Sequence, residues 1–133
     1  MLITATDGQH GDRPADVATP AELLVRRRDE LAASCRILGV SRYEWLGYAD
    51  SGMTGWPQND ADGAFIRSDV DEAAARLVRI IKEEQQGTDQ FVLVTYDWHG
   101  NYGHPDHISV HKVGYRAAEI AGVSEVYEAT MNR

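Results

Sequence analysis

Residues 91–107 read Phe-Val-Leu-Val-Thr-Tyr-Asp-Trp-His-Gly-Asn-Tyr-Gly-His-Pro-Asp-His, and this segment gives the clearest indication of the fold class. Residues 91–95 are a continuous run of apolar and β-branched side chains, typical of a strand buried on both faces, as in a parallel sheet. A polar loop follows, and Pro105 then suits the first position of a helix. Strand, loop and helix in this order are the unit of layered α/β folds.

The same alternation continues along the rest of the chain. Apolar and β-branched segments predict strands at residues 2–6, 43–46, 91–95 and 123–129. Segments of helical periodicity separate them, so the predicted order is β-α-β-α-β-α-β. This order predicts a three-layer α/β fold, with a Rossmann-like, mainly parallel sheet, flanking helices and right-handed crossovers.

Capping residues predict the limits of the helices. Thr19 precedes Pro20 at the start of the first helix, and Glu22 completes a capping box. Ser68 is predicted to cap the second helix. Because glycine is favoured just past a helix C-terminus, the predicted ends of the three helices are Gly39, Gly87 and Gly122. The predicted core positions are Leu24, Leu31, Cys35 and Leu38 in the first helix and Val70, Ala74, Leu77, Val78 and Ile81 in the second.

The composition is that of a single globular domain. The chain has 133 residues, of which 43% are hydrophobic and 26% charged, and 13 Lys and Arg against 21 Asp and Glu give a formal net charge of −8. Because binding to a phosphate backbone needs clustered basic side chains, we expect no nucleic-acid partner. The one basic run, residues 26–28, is interpreted as a solvated helix face.

Other classes of protein are excluded by what the sequence lacks. Cys35 is the only cysteine, which excludes an intrachain disulfide and a Cys-rich zinc module. No apolar run approaches the roughly 20 residues that span a bilayer, and the N-terminus has no secretory-signal pattern. We therefore expect no membrane partner and a cytoplasmic location. A homo-oligomer is compatible with the sequence.

The loops after the strands are predicted to share one rim, because ligands bind beyond the carboxyl ends of parallel strands. These loops are residues 7–16, 47–67 and 97–105. The third loop leads into a histidine cluster, since four of the five histidines lie between His99 and His111. The rim is therefore the predicted functional site.

Within the cluster, His104 and His107 are the strongest candidates for chemistry. They lie three residues apart across the proline that starts the helix, so both imidazoles can face the rim from the first helical turn. Asp106 lies beside them as an orienting carboxylate, the usual partner of a metal-bound or catalytic imidazole. The histidines not expected to take a direct part are His10, His99 and His111.

Four short motifs occur in a characteristic order along nearly the whole chain. They are Thr6-Asp7-Gly8, Asp50-Ser51-Gly52-Met53, Tyr96-Asp97 and Gly103-His104-Pro105-Asp106-His107. Together they resemble the LmbE/PIG-L family, zinc-dependent de-N-acetylases of N-acetylglucosamine-type sugars that include mycothiol-pathway deacetylases. The resemblance implies a hydrolase of the amide C–N bond of a small N-acetylated sugar or sugar conjugate, with Zn²⁺ as its cofactor.

The resemblance also implies roles for individual residues. His107 corresponds to a zinc ligand, and His104 to the histidine that stabilises the oxyanion or protonates the leaving amine, oriented by Asp106. Tyr102 resembles a mobile tyrosine that binds substrate and helps polarise the amide carbonyl, and Asp50 resembles a position near the bound sugar. Zinc would supply a hydroxide from water and polarise the carbonyl.

One family signature has no counterpart in this sequence. An Ala-His-Pro-Asp-Asp-Glu-type segment after the family's first strand supplies two further zinc ligands and the general base, and a catalytic zinc usually needs three protein ligands. We expect the missing strand to lie between residues 2–6 and 91–95, leaving two unpaired edges and a split core. Residues 1–133 are thus interpreted as one family domain, partial at the N-terminus and at the C-terminus, with weak zinc binding and no deacetylase activity on its own.

Two other functions are considered. A catalytically degenerate sugar-binding module of the same fold would keep the sugar-binding loops and bind sugar without a metal. A nucleotide-binding α/β domain is disfavoured, because no strand is followed by a G-x-G-x-x-G segment or a P-loop.

Overall fold

A computed structural model describes residues 1–86, 88 and 90–132. The elements in this part of the chain are β1 (Leu2–Thr6), α1 (Pro20–Leu38), β2 (Tyr43–Tyr48), α2 (Val70–Glu84), β3 (Val92–Tyr96), α3 (Pro105–Ala121) and β4 (Glu125–Ala129). Two short 3₁₀ turns, Pro57–Asp60 and Phe65–Arg67, lie between β2 and α2. The predicted alternation and the α/β class are confirmed.

The strands form two parallel pairs. β1 pairs with β2, and β3 pairs with β4, while no strand pairing among the described residues joins β1 to β3. A groove separates the pairs, and residues of β1 and β3 line both of its cavities, which measure about 460 and about 630 Å³. The prediction of a mainly parallel sheet is confirmed, and β1 and β3 each have one strand neighbour in the described part of the chain.

The hydrophobic core is continuous across this division. Ala5 of β1 and Leu46 of β2 belong to the same cluster of buried side chains as Ile81 of α2 and Val113 of α3. The expected split core is therefore wrong, because α2 and α3 pack against each other and cover one face of both strand pairs.

The start of α1 follows the predicted capping box. The Glu22 N–H donates to Thr19 Oγ1 at 3.2 Å, the Thr19 N–H donates to Glu22 Oε2 at 3.3 Å, and Gly39 ends the helix with φ 71°. Leu23 is buried, whereas Leu24 and Leu31 are only partly buried and Leu38 is 76% exposed, so Cys35 is the one predicted core position of α1 that is buried. The physical reason is that the apolar residues of α1 are spread around the helix and define no single face.

The cap of α2 is one residue later than predicted. Asp69, not Ser68, caps the helix, since Asp69 Oδ1 accepts the Glu72 N–H at 2.9 Å and Ser68 Oγ instead donates to Phe65 O at 2.7 Å. Val70, predicted in the core, is 37% exposed because it begins the first turn. The helix ends at Glu84, and the predicted stop at Gly87 lies outside the described residues. The side chains that α2 buries are Ala73, Ala74, Leu77, Val78, Ile80 and Ile81.

β3 is covered on one face, not on both as predicted. Val92 is 48% exposed and Val94 is 66% exposed, whereas Leu93 packs against the core and Thr95 is buried. The reason is that α3 covers only one face of β3 in the described structure.

Gly114 sets the approach of α3 to β3. A Cβ atom at this position would lie 2.8 Å from Thr95 Oγ1 and 3.2 Å from Thr95 Cβ. Gly114→Leu is therefore expected to lower the free energy of unfolding by about 1–3 kcal/mol through overpacking, measured by urea denaturation. Lys112→Leu, on the exposed face of the same helix, is the control and should change it by less than about 0.5 kcal/mol. Equal effects of the two substitutions would contradict this account of the packing.

Candidate active site at the end of β3

The three loops predicted to share a rim are joined by hydrogen bonds between them. The His10 N–H donates to Asp50 Oδ2 at 3.0 Å, which links the first loop to the second. The Ser51 N–H donates to Asp106 Oδ2 at 3.0 Å, which links the second loop to the start of α3. The prediction that these loops meet is confirmed.

The loop from β3 to α3 is built around Asp97, which is 2% exposed. Asp97 Oδ1 accepts the Asn101 N–H at 3.0 Å, and Asp97 Oδ2 accepts the hydroxyl of Thr130, beyond β4, at 2.7 Å. Gly100 has φ 69°, and a Cβ atom there would lie 2.8 Å from the Ile108 nitrogen, so only glycine fits. This tight turn fixes the position of the Gly100 carbonyl.

His104 caps α3 with its side chain. Its Nδ1 accepts the backbone N–H of Asp106 at 3.1 Å. An accepting Nδ1 carries no proton, so a neutral His104 carries its proton on Nε2. His104 therefore presents a hydrogen-bond donor at Nε2.

His107 has the opposite arrangement. Its Nδ1 lies 3.2 Å from Gly100 O, and because a carbonyl oxygen only accepts, Nδ1 carries the proton. Nε2 then keeps its lone pair, the form that binds a metal. Burial lowers the pKa of His107, and the neighbouring charge of His104 lowers it further.

Asp50, His104 and Asp106 form a compact cluster. Each offers one ligand atom, and these atoms lie within 4.8 Å of one another. Both oxygens of Asp50 accept backbone N–H groups, from His10 and Gly52. Burial raises the pKa of Asp106, and hydrogen bonds from Ser51 oppose that shift. The cluster is suited either to a metal ion or to holding a proton near His104.

The remaining candidates lie at different distances from this cluster. Tyr102 is 60% exposed, and its ring lies edge-on to His104 and His107, with centroids 6.0 and 5.2 Å away. His111 lies one turn further along α3, where its Nδ1 is 3.1 Å from Tyr96 O. The sequence-predicted residues that the structure brings together are Asp50, Tyr102, His104, Asp106 and His107.

Arg27 was missed by the sequence analysis. The structure agrees with a solvated face for its exposed neighbour Arg28, but the side chain of Arg27 lies under the loop after β1, where it leaves no room for a Cβ at Gly11. Its Nε is buried and has no hydrogen-bond partner in the part of the chain described. Gly8 and Gly11, close together after a strand, were the only signal of this close approach.

Three buried polar atoms belong to residues that line the larger cavity of the groove. Thr4 Oγ1, Arg27 Nε and Asp106 Oδ1 have no hydrogen-bond partner within the described residues, and all three residues line this cavity together with His107. Leaving such a group unpaired costs about 1–3 kcal/mol. The groove therefore suits an occupant that brings polar as well as apolar groups.

Among residues 1–86, 88 and 90–132, no helix combines the length and the apolar character needed to cross a membrane.

Known proteins resemble this chain over most of its length. The sequence profile of the PIG-L family, described as GlcNAc-PI de-N-acetylase, matches residues 1–118. A protein of Catenulispora acidiphila named 1D-myo-inositol 2-acetamido-2-deoxy-alpha-D-glucopyranoside deacetylase 1 is 46% identical over 134 residues, covering 90% of this chain. A Streptomyces scabiei protein named as the corresponding deacetylase is 47% identical over 130 residues, again covering 90% of this chain.

The match to these relatives is partial on their side. This chain spans 39% of the length of both the Catenulispora and the Streptomyces protein. The family predicted from the four motifs is nevertheless confirmed, because the profile covers far more than half of the chain. The chain belongs to the PIG-L (GlcNAc-PI de-N-acetylase) family.

Proposed function

We propose that this chain forms part of the active site of a zinc-dependent hydrolase that removes the acetyl group from an N-acetylglucosamine unit of a small sugar conjugate. The observation that carries the proposal is the opposite protonation of two adjacent imidazoles. His104 offers a proton at Nε2, and His107 offers a lone pair at Nε2. Zinc-assisted amide hydrolysis uses a metal ion at the carbonyl and a hydrogen-bond donor beside it. The names of the relatives support the same chemistry.

His107 is the residue proposed to hold the metal. Its Nδ1–H is engaged by Gly100 O, the kind of outer hydrogen bond that metal-bound histidines make. Bound zinc would supply a hydroxide at neutral pH and polarise the amide carbonyl. Imidazole and carboxylate donors suit zinc, but one secure ligand is fewer than the three that a catalytic site uses.

The other residues act on protons and position. His104 Nε2–H is placed to donate a hydrogen bond to the developing oxyanion or to the leaving nitrogen, and the nearby Asp106 keeps the imidazole in that orientation through its backbone N–H. Tyr102 is exposed at the rim and is proposed to close over the carbonyl. Asp50 and Arg27 are proposed to bind hydroxyl groups of the sugar.

A strand between β1 and β3 is proposed to complete the site. The strands border an apolar groove, and the residues that line its larger cavity include three with a buried, unpartnered polar atom within the described structure. A parallel strand there would pair with both edges and would end at the rim, where further zinc ligands and a general base are needed. On this proposal the 133 residues are a partial domain of a cytoplasmic enzyme for a small molecule.

Zinc titration tests this completion of the site. The lengthened chain is defined as this chain preceded by one strand, loop and helix start of a family member carrying an Ala-His-Pro-Asp-Asp-Glu segment. Calorimetry should show weak zinc binding to the chain as given and binding tighter by more than about 100-fold to the lengthened chain, since each site gains ligands. Replacing the His and both Asp residues of the added segment by Ala is the matched control. Equal zinc affinity of all three proteins would contradict the proposed strand.

A further inference from the structure

The ring of Tyr96, the last residue of β3, lies against His107. The two ring centroids are 4.0 Å apart and the planes differ by 7°, so the rings are nearly parallel. The other rings near His107 are less aligned with it: His104 is inclined by 29° at 4.9 Å, and Tyr102 by 73° at 5.2 Å. Tyr96 is half-buried, and burial raises the pKa of its hydroxyl, so the ring stays neutral.

The backbone that carries this ring is held on two sides. Tyr96 is in register with Ala129 in the parallel pair of β3 and β4. His111 Nδ1 lies 3.1 Å from Tyr96 O and 3.4 Å from Glu128 Oε1, so one imidazole links the end of β3 to β4. The Tyr96 ring therefore projects from a fixed point.

Two contacts together define the orientation of His107. The hydrogen bond from Nδ1 to Gly100 O selects which nitrogen faces the loop, but at 3.2 Å it leaves the ring free to tilt. Parallel stacking on Tyr96 restricts the ring plane. Nε2 is thereby held in one direction, along the groove wall that His107 lines.

We propose that Tyr96 is a positioning residue that holds the His107 imidazole in one plane and one tautomer, with Nε2 available to a ligand. Only the effect of this positioning on metal binding rests on the proposed function. The stacking itself does not depend on a metal.

Imidazole ¹⁵N NMR of the chain as given tests the proposal. In the unsubstituted protein, His107 should show the Nδ1–H tautomer, and its ring protons should be shifted upfield by the Tyr96 ring relative to those of His10. Tyr96→Phe keeps the ring and should preserve both signatures. Tyr96→Met replaces the ring by an unbranched apolar side chain. Because the His107 ring can then tilt and Nδ1 no longer stays aligned with Gly100 O, this variant should lose the upfield shift, populate the Nε2–H tautomer and weaken zinc binding about tenfold.

Tyr43→Met is the matched control, because Tyr43 is an exposed tyrosine at the start of β2, in the other strand pair. It should leave the His107 signals and the zinc affinity unchanged. The proposal is overturned if Tyr96→Met leaves the His107 nitrogen shifts at their original values, or if the unsubstituted protein shows no upfield shift. The second outcome is decisive even if Tyr96→Met does not fold. A tautomer change without zinc binding by any variant would support positioning while contradicting the metal role of His107.

Discussion

Replacing His107 by alanine is expected to abolish zinc binding and amide hydrolysis by the lengthened chain. His107 Nε2 keeps a lone pair at the rim beside His104, since Nδ1 is bound to Gly100 O. Loss of a residue that hydrogen-bonds to a metal ligand lowers metal affinity by up to roughly 100-fold. Loss of one of the three ligands themselves should therefore lower zinc affinity by more than that. Calorimetric zinc titration and acetate release from an N-acetylglucosaminyl substrate provide the two measurements.

Asp50→Asn distinguishes a metal held by His107 from a metal held by the cluster of Asp50, His104 and Asp106. The ligand atoms of that cluster lie within 4.8 Å of one another. If His107 holds the metal, Asp50→Asn should leave zinc affinity within a few-fold of the original. If His107→Ala binds zinc normally and Asp50→Asn does not, the metal belongs to the cluster and the assignment of His107 is wrong.

Replacing His104 by glutamine is expected to lower kcat of the lengthened chain by about 10²- to 10³-fold, the usual effect of losing one hydrogen-bond donor to the developing oxyanion. Zinc affinity should be unchanged. Because Nδ1 of His104 accepts a hydrogen bond, Nε2 carries the proton and has no lone pair for a metal. Steady-state kinetics with zinc-saturated protein measures the first effect, and calorimetry the second.

His99→Gln is the control for this substitution. His99 belongs to the same loop, but its Nδ1 lies 3.1 Å from Asn101 O, a contact within the loop. The His99→Gln variant should retain most of the hydrolytic activity. A loss of zinc binding in His104→Gln in parallel with activity would identify His104 as a metal ligand and contradict its role as proton donor.

Local signals predicted most of the fold. Thr19, Glu22 and Gly39 define a helix whatever surrounds them, because the capping bonds are made within a few residues. Pro105 and Gly122 likewise match the limits of α3. The order of helices and strands along the chain followed from the alternation of periodicities, and both strand pairs are parallel as that alternation requires.

The predictions were wrong where the burial of a side chain depends on contacts with segments distant in the sequence. Val92 and Val94 are as apolar as any buried strand residue, and nothing in their pattern reveals that one face of β3 meets no helix in the described structure. Ser68 and Asp69 are both good caps, and the choice between them depends on the preceding 3₁₀ turn, whose carbonyl at Phe65 engages Ser68.

The candidate site was predictable in its location and only partly in its members. The rim followed from the strand ends, and the His-Pro-Asp-His element marked the start of α3. Arg27 was hidden within a basic run that resembles any solvated helix face. The opposite tautomers of His104 and His107 depend on one backbone N–H and one carbonyl, and no sequence pattern specifies those contacts.

Acetate release by the zinc-loaded lengthened chain from an N-acetylglucosaminyl-inositol substrate, followed by ¹H NMR, tests the proposed zinc-dependent deacetylase activity. We expect stoichiometric release of acetate and free amine, loss of release on removal of zinc by a chelator, and recovery on adding zinc back. Tight binding of the intact sugar by the folded, lengthened chain, with no acetate released and no dependence on metal, would contradict the claim and identify a sugar-binding module.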